Sequence, residues 1–250
     1  MIPLAPHMAD LGRRQVDFVC VEGTGQVVHM LEGTTPSRRV RPYSTFKIPN
    51  AIIGMQTGVA TGPDHLREWD RERHPPAPHW PASWQRDHTL ASAFRNSVVW
   101  YFEDMAREIG QPAYRQKLAQ WQYGNGEVAP GAFWLNGTLA ISVFEQIAFL
   151  SHVSAGTLDL GAAVQSAVEE ITRDGDIAGV PVHGKTGAGP LFGRGFGGPY
   201  GGWYAGWMRP AGRPELTFAL YVEAPTFREI GPFRRAFAAR LIEDILARNG

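Results

Sequence analysis

Predicted β-strands lie towards the two ends of this chain, and predicted helices fill its middle. Period-two apolar patterns and flanking turn residues define the strands. They are Gln15 to Glu22 and Gln26 to Leu31 at one end, joined by Gly23-Thr24-Gly25, and Val180 to Thr186, Trp203 to Met208 and Leu216 to Glu223 at the other. This order predicts one antiparallel sheet into which an all-helical lobe is inserted.

The middle of the chain has helical periodicity, interrupted by an irregular segment from Gly58 to Trp84. The predicted helices are Thr45 to Gln56, His88 to Arg107 (one or two helices), Pro112 to Gln120, Ser142 to Leu150, Ala162 to Ile171 and a terminal helix from Pro232 to about Ala247. We therefore predict an α/β-type (α+β) fold in one domain, residues 1–250. Its sheet lobe would be about 15–45 and 178–250 and its helical lobe about 46–177, with a site between them.

Charge and cysteine content exclude several classes of protein. The 24 basic and 24 acidic residues give a formal net charge of zero, and no long basic run predicts a nucleic-acid partner. The single cysteine, Cys20, rules out an intrachain disulfide and lies in an apolar run, so we predict a buried small side chain. Residues Met1 to Arg14 contain no apolar stretch long enough for a signal peptide or membrane helix, so we expect no membrane segment in this chain.

A Ser-x-x-Lys element, Ser44-Thr45-Phe46-Lys47, stands at the start of the first predicted helix. One helical turn separates its hydroxyl and amine, which suits a nucleophile and its base. About one such element is expected by chance in a chain of this length, and the alternative is a capping serine with a surface lysine. Apolar Phe46 and Ile48 beside the lysine favour the catalytic interpretation.

Three further triplets follow in order along the chain. They are Ser97-Val98-Val99 at a helix start, Tyr123-Gly124-Asn125 in a turn, and Lys185-Thr186-Gly187 on a predicted strand. Taken singly, they would indicate a helix cap, a glycine turn and a strand end. Their joint order and spacing point to a shared site.

The chain thereby resembles the penicillin-recognising serine enzymes, and within them the class D (oxacillinase-type) β-lactamases. The four signatures of that class, S-T-F-K, S-x-V, Y-G-N and K-T-G, all occur unaltered, and Phe133-Trp134-Leu135 follows the third. The S-D-N triplet and glutamate-bearing loop of class A are not found in the sequence. The resemblance covers about Asp17 to Ala247 and implies a serine β-lactamase/penicillin-binding-protein-like fold: an antiparallel sheet flanked by terminal helices, plus the helical lobe.

The resemblance implies hydrolysis of β-lactams through an acyl-Ser44 intermediate. Lys47 would be the base, Ser97 would relay the proton to the β-lactam nitrogen, and Lys185 would supply positive potential. Val99, Trp134 and Leu135 would enclose Lys47, and desolvation there should lower its pKa. The family further implies that the amine takes up carbon dioxide or bicarbonate to form a carbamate held by the Trp134 indole N–H. This carbamate would be the general base in both acylation and deacylation. No other cofactor and no metal are expected.

The resemblance also implies how the substrate is held. The backbone N–H groups of Ser44 and Ala188 would form the oxyanion hole. Substrate contacts would come from Thr186, Gly187, Tyr123, Asn125 and an arginine near the end of the chain. Bidentate geometry suits a guanidinium to a carboxylate, and Arg234 is our choice, with Arg228 and Arg235 as alternatives.

Two other patterns invite a binding-site interpretation. His65, His74, His79 and His88 have spacings that fit no common zinc site, and we predict surface or capping histidines. The run Gly193 to Pro199 matches G-x-G-x-x-G but opens no predicted helix. It therefore predicts a flexible rim of the active site and not a dinucleotide site.

Two alternative functions remain. A β-lactam sensor domain would acylate the same serine with little turnover, but such sensors usually carry membrane segments and a polar residue at the position of Val99. A DD-peptidase would use the same nucleophile, but Tyr123-Gly124-Asn125 and Trp134 argue against it.

By resemblance we expect a periplasmic or secreted protein that is a monomer or a homodimer. Its partner would be a small-molecule β-lactam substrate.

Overall fold

An antiparallel sheet forms the centre of the protein, in a computed structural model that describes residues 1–23, 25, 27–192 and 198–248. The strands are β1 (Gln15–Glu22), β2 (Val27–Met30), β3 (Leu66–Arg67), β4 (His88–Thr89), β5 (Arg173–Ile177), β6 (Val180–Pro190), β7 (Tyr200–Met208) and β8 (Leu216–Ala224). Within the described residues, the main sheet has the order β2-β1-β8-β7-β6-β5, and β3 pairs with β4 separately. Every neighbouring pair is antiparallel, and β1 pairs with β8 along its whole length.

Helices cover both faces of this sheet. They are α1 (Met8–Leu11), α2 (Lys47–Gln56), α3 (Leu90–Arg95), α4 (Val99–Ile109), α5 (Gln111–Gln120), α6 (Phe133–Asn136), α7 (Val143–Ser154), α8 (Ala162–Thr172) and α9 (Phe233–Arg248). Short 3-10 turns span Ala5–His7, Tyr43–Phe46, Ala82–Trp84 and Phe227–Glu229. Helix α7 begins at a full capping box between Ser142 and Glu145, which fixes its start against the sheet.

The alternation of side chains along the strands divides the interior into two cores. In β8, Phe218 and Leu220 face the core under the terminal helices, whereas Ala219 and Tyr221 face the helical lobe. Strand β1 alternates in the same way, and Cys20 is buried under the terminal helices, as predicted. A sheet buried on both faces is a rigid platform for residues projecting from its edge.

The predicted α+β architecture, an antiparallel sheet between terminal helices and a helical lobe, is confirmed. The segment from His88 to Arg107, predicted as one or two helices, forms two, α3 and α4, with Ser97 between them. Two local features differ. Strand β5, with its polar Arg-Asp-Gly-Asp sequence, forms by pairing with β6 and has no apolar alternation of its own. The short α1 was not expected from the sequence.

The expectation of surface histidines is wrong for His74 and His88. The ring of each lies with its centroid 6.0 Å from that of Trp100, and both side chains are buried. His74 Nε2 lies 2.9 Å from Asp104 Oδ1, and His88 Nδ1 lies 2.9 Å from Ser92 Oγ. These bonds satisfy the polar ring atoms that burial would otherwise penalise.

Some predicted positions lie outside the described residues: Thr24 of the hairpin turn, Gln26 at the start of the second predicted strand, and residues 193–197 of the glycine-rich run. Among the described residues, no helix has the length and apolar character needed to cross a membrane. In the same part of the chain, no group of three or more His, Cys, Asp or Glu side chains is arranged to hold a metal ion.

Candidate active site

The Ser-x-x-Lys element places a hydroxyl directly beside an amine. Ser44 lies in the 3-10 turn Tyr43–Phe46, which runs straight into α2, and Lys47 is the first residue of that helix. Lys47 Nζ is 2.9 Å from Ser44 Oγ. Hydrogen-bond contact of this kind is what a nucleophile and its base require.

Lys47 is completely buried among aromatic side chains. Its Nζ lies 5.3 Å from the centroid of the Phe102 ring, while Phe46 stacks on Trp134 with centroids 5.6 Å apart. Burial lowers the pKa of Lys47 well below its usual value, and the positive charge of Lys185 adds to the effect. The Glu103 carboxylate opposes it. The environment therefore favours the neutral amine, which has a lone pair able to accept the Ser44 proton.

The residues predicted to enclose Lys47 divide into two groups. Trp134 is fully buried, and no protein acceptor among the described residues lies within hydrogen-bond reach of its indole N–H. Val99 and Leu135 are half-buried and line the neighbouring cavity. Sequence reasoning missed Phe102, one turn of α4 after Val99, although its spacing places it on the same face of that helix.

Strand β6 presents an open edge to the 3-10 turn Tyr43–Phe46, which carries Ser44 and is called the nucleophile turn below. Among the described residues, β5 pairs with β6 only as far as His183, so the stretch from Lys185 to Pro190 pairs with β7 alone. The turn packs so closely here that a Cβ on Gly187 would lie 2.8 Å from Ser44 N and 2.9 Å from Pro42 O. Glycine at this position lets the strand approach the nucleophile.

Lys185 and Arg234 form a buried cationic pair beside this edge. Lys185 Nζ donates to the Thr186 carbonyl at 3.1 Å and lies 5.6 Å from the Phe94 ring centroid. Arg234 Nη1 donates to the Gly187 carbonyl at 2.8 Å, and no acceptor for its buried Nε lies within the described chain. Burial, then the charge of Arg234, lowers the pKa of Lys185 to about 7, and burial lowers that of Arg234 to about 10.

The position of Arg234 differs from those of its two alternatives. Arg235 is engaged by Asp174, with nitrogen and oxygen 2.6 Å apart, and Arg228 lies exposed on a 3-10 turn. Arg234 alone of the three lines the cavity beside Ser44. Its location at the start of α9, over the K-T-G segment, is suited to a carboxylate.

Ser97 occupies the break between α3 and α4 with a left-handed backbone, φ 57°. Such a conformation is uncommon for a residue with a side chain, and at functional sites it is held by the surrounding structure. Here the Ser97 N–H donates to the Phe94 carbonyl, and the residue lines the same cavity as Ser44.

A cavity of about 700 Å³ joins these elements between the two lobes. Of the predicted site residues, the lining includes Ser44, Ser97, Val99, Leu135, Thr186, Gly187, Ala188 and Arg234. Lys47, Lys185 and Trp134 are buried and do not belong to that lining. Sequence reasoning missed an aromatic wall made by Trp80, Trp84, Tyr200 and Phe227, because these side chains come from segments without a recognisable motif.

The structure corrects the role assigned to Tyr123 and Asn125. Tyr123 is buried in the core, where burial raises its pKa and its ring packs edge-on against Phe46 and Phe149. The side chain of Asn125 ties the Y-G-N turn to the segment before α7. Its Nδ2 donates to the Thr138 carbonyl, and its Oδ1 accepts from the Ala140 N–H. Neither lines the cavity, so substrate contact by these two residues does not fit the fold.

Comparison with known proteins agrees with this geometry. Residues 22–247 match the penicillin binding protein transpeptidase domain family, which is most of the chain. The chain belongs to this family. The curated proteins similar to this chain include the β-lactamase OXA-10 of Pseudomonas aeruginosa, 37% identical over 153 residues, or 60% of this chain and 56% of OXA-10.

The curated relatives of this chain also include a regulatory protein. The regulatory protein BlaR1 of Bacillus licheniformis is 31% identical over 156 residues, covering 62% of this chain and 25% of BlaR1. The chain therefore spans about half, or less, of the length of these curated relatives.

A solved structure supports the fold. FUS-1 (OXA-85), a class D β-lactamase from Fusobacterium nucleatum subsp. polymorphum, superposes with a TM-score of 0.84 at 25% identity over 97% of this chain and 96% of that one. The predicted resemblance to class D β-lactamases is confirmed.

Proposed function

We propose that this chain hydrolyses β-lactams through an acyl-enzyme on Ser44. The observation that carries the proposal is the 2.9 Å contact between Ser44 Oγ and the buried Nζ of Lys47, whose lowered pKa suits a base. The class D likeness supplies the substrate class.

In acylation, the base at Lys47 accepts the proton of Ser44 as the serine oxygen attacks the β-lactam carbonyl carbon. The carbonyl oxygen, which becomes negative, is held by the backbone N–H groups of Ser44 and Ala188, on the nucleophile turn and the open edge of β6. Ser97 relays the proton taken up at Lys47 to the ring nitrogen as the amide bond breaks. Thr186 and Arg234 bind the substrate carboxylate, and Lys185 contributes positive potential beside Arg234.

Deacylation requires a base that can activate water, and the surroundings of Lys47 fit a carboxylated lysine. The buried Trp134 indole N–H is a donor without a protein acceptor in the described chain, and such a group favours an anionic oxygen nearby. Carbon dioxide added to the neutral amine would supply an anionic carbamate, and this one group would be the base in both acylation and deacylation. Val99 and Leu135 add apolar side chains to the lining of the neighbouring cavity.

Turnover of a chromogenic cephalosporin tests the proposal. We expect steady hydrolysis by the wild type, none by Ser44→Ala, and normal rates for Ser166→Ala, a control at an exposed serine on α8. Hydrolysis that persists in Ser44→Ala would contradict the proposal.

We further propose a periplasmic or secreted location for the enzyme, as a monomer or homodimer.

The second candidate is a β-lactam sensor, favoured by the similarity to BlaR1. Both functions acylate Ser44, and they differ in the fate of the acyl-enzyme. Stoichiometric labelling of Ser44 without further turnover, in the presence of added bicarbonate, would support the sensor and exclude the hydrolase. Val99 is apolar and lines the same cavity as Ser44, which favours the hydrolase.

A further inference from the structure

A line of buried hydrogen bonds connects the Y-G-N segment to the nucleophile turn. The Tyr123 hydroxyl donates to Gln146 Oε1 at 3.3 Å, and Gln146 Nε2 donates to Thr45 Oγ1 at 2.7 Å. The Thr45 hydroxyl in turn donates to the Pro42 carbonyl at 2.7 Å. Tyr123, Gln146 and Thr45 are each at most 2% exposed. Every group in the line therefore donates to the next and is shielded from water.

The line ends on the backbone that carries the nucleophile. The Pro42 carbonyl also accepts the Thr45 N–H at 3.2 Å, a bond that closes the turn around Ser44. Within this turn, Tyr43 has a left-handed backbone, φ 48°. A turn held in an uncommon conformation needs outside contacts to keep its shape. Gly187 of β6 supplies one such contact at Ser44 N and Pro42 O, and Gln146 of α7 supplies another at Thr45.

We propose that Gln146 is a positioning residue for Ser44, acting through Thr45. This inference rests on the proposed function, because it concerns the acylation step. Gln146 does not line the cavity, so it has no part in holding the substrate. Its amide orients the Thr45 hydroxyl towards Pro42, which fixes the backbone N–H and the Oγ of Ser44 relative to β6. The Y-G-N tyrosine then supports the nucleophile through Gln146.

The test measures acylation by stopped flow, separating the binding constant of the first complex from the acylation rate constant. Gln146→Met keeps the side-chain length but removes both hydrogen bonds. We expect the acylation rate constant to fall at least about tenfold, since small misplacements of reacting groups are costly, with the binding constant unchanged within about twofold. Gln165→Met is the matched control: Gln165 Nε2 donates to the Val153 carbonyl at 2.9 Å, away from the site, and acylation should be unaffected.

Two further variants separate positioning from general stability. Thr45→Val removes the next hydroxyl, so Gln146→Met combined with Thr45→Val should acylate no more slowly than the slower single variant. Tyr123→Phe removes only one hydroxyl and should slow acylation by about twofold to fivefold. If Gln146→Met does not fold, Tyr123→Phe decides the question.

Acylation that is unchanged in Gln146→Met and Tyr123→Phe would overturn the proposal, as would additive effects in the double variant. The result is independent of turnover, because a sensor is acylated as well. A wild type that forms no covalent adduct would contradict both the positioning role and the proposed function. An acylating wild type with unaffected variants would contradict the positioning role alone.

Discussion

Three buried basic groups of the site, Arg234, Lys185 and Lys47, have pKa values below their usual ones. Burial is the main cause for each, and the next cause differs: Arg235 acts on Arg234, Arg234 acts on Lys185, and Lys185 acts on Lys47. A substrate carboxylate bound at Arg234 would offset part of this repulsion. The proton affinities of the two lysines are therefore coupled to whether an anion occupies the cavity.

Substrate affinity should depend on pH through Lys185, whose pKa in the free protein is about 7. A bound carboxylate raises that pKa, so the protonated lysine binds better: affinity is full below about pH 7 and falls as pH rises above it. Non-covalent binding of a penicillin to Ser44→Ala, measured by calorimetry, should weaken by about tenfold between pH 6 and 8.5. In Ser44→Ala combined with Lys185→Arg the dependence should disappear; a flat profile without Lys185→Arg would contradict the assignment.

The indole N–H of Trp134 should matter for carboxylation of Lys47. Trp134→Phe keeps the stacking on Phe46 and removes the donor, so we expect less carbamate and a turnover at least about tenfold lower, partly restored by bicarbonate. Uptake of isotopically labelled bicarbonate, followed by NMR, measures the carbamate directly. Trp121→Phe is the control, because Trp121 has an equally buried indole N–H without an acceptor in the described chain. Equal carbamate signals in both variants would refute the role.

Among the elements, strands β1, β2, β6, β7 and β8 and the motif-bearing helices α2 and α4 could be predicted from sequence, because their apolar periods reflect burial. Membership of a sequence motif did not always show what a residue contacts in the folded protein. Tyr123 and Asn125 were assigned to the substrate because they belong to a signature, but their contacts are with the protein. Phe102 and Gln146 carry no motif in isolation, and their roles arise when α4 and α7 pack beside α2 and the nucleophile turn.

Strand β6 should tolerate a side chain at Gly187 poorly, and in a way specific to activity. The Cβ of Gly187→Ala would press on Ser44 N and Pro42 O, so we expect loss of about 1–3 kcal/mol in the free energy of unfolding and an acylation rate at least about a hundredfold lower. Gly184→Ala is the matched control, since its Cβ would lie 2.7 Å from Ala205 O in β7.

Denaturant titration and acylation kinetics on folded protein distinguish the two glycines. Both variants should be destabilised, and only Gly187→Ala should acylate slowly. Equal rates per folded molecule for both would show that β6 does not need its close approach to the nucleophile turn.

At the scale of the whole molecule, the sheet lobe and the helical lobe share one of the protein's two cores. The interior between sheet and helical lobe includes Val19 and Tyr221 from the sheet together with Phe46, Trp134 and Phe149 from the lobe. Residues distant in sequence thus bury one another, which argues that neither lobe retains its packing without the other.

We therefore propose a single cooperative domain and expect one unfolding transition. Far-ultraviolet circular dichroism and tryptophan fluorescence should give coincident curves in denaturant. Two separated transitions would show that the lobes fold as independent units.

Tyr43 and Ser97 have left-handed backbone conformations, and these limit the free energy of unfolding that this protein can reach. Each conformation costs roughly 1–3 kcal/mol, and both occur where the cavity needs them. Selection for thermal resistance alone would favour sequences that relax these two turns, and selection for catalysis would oppose them. We expect stabilised descendants of this protein to have changed their surface and their helix caps while keeping these two turns as they are.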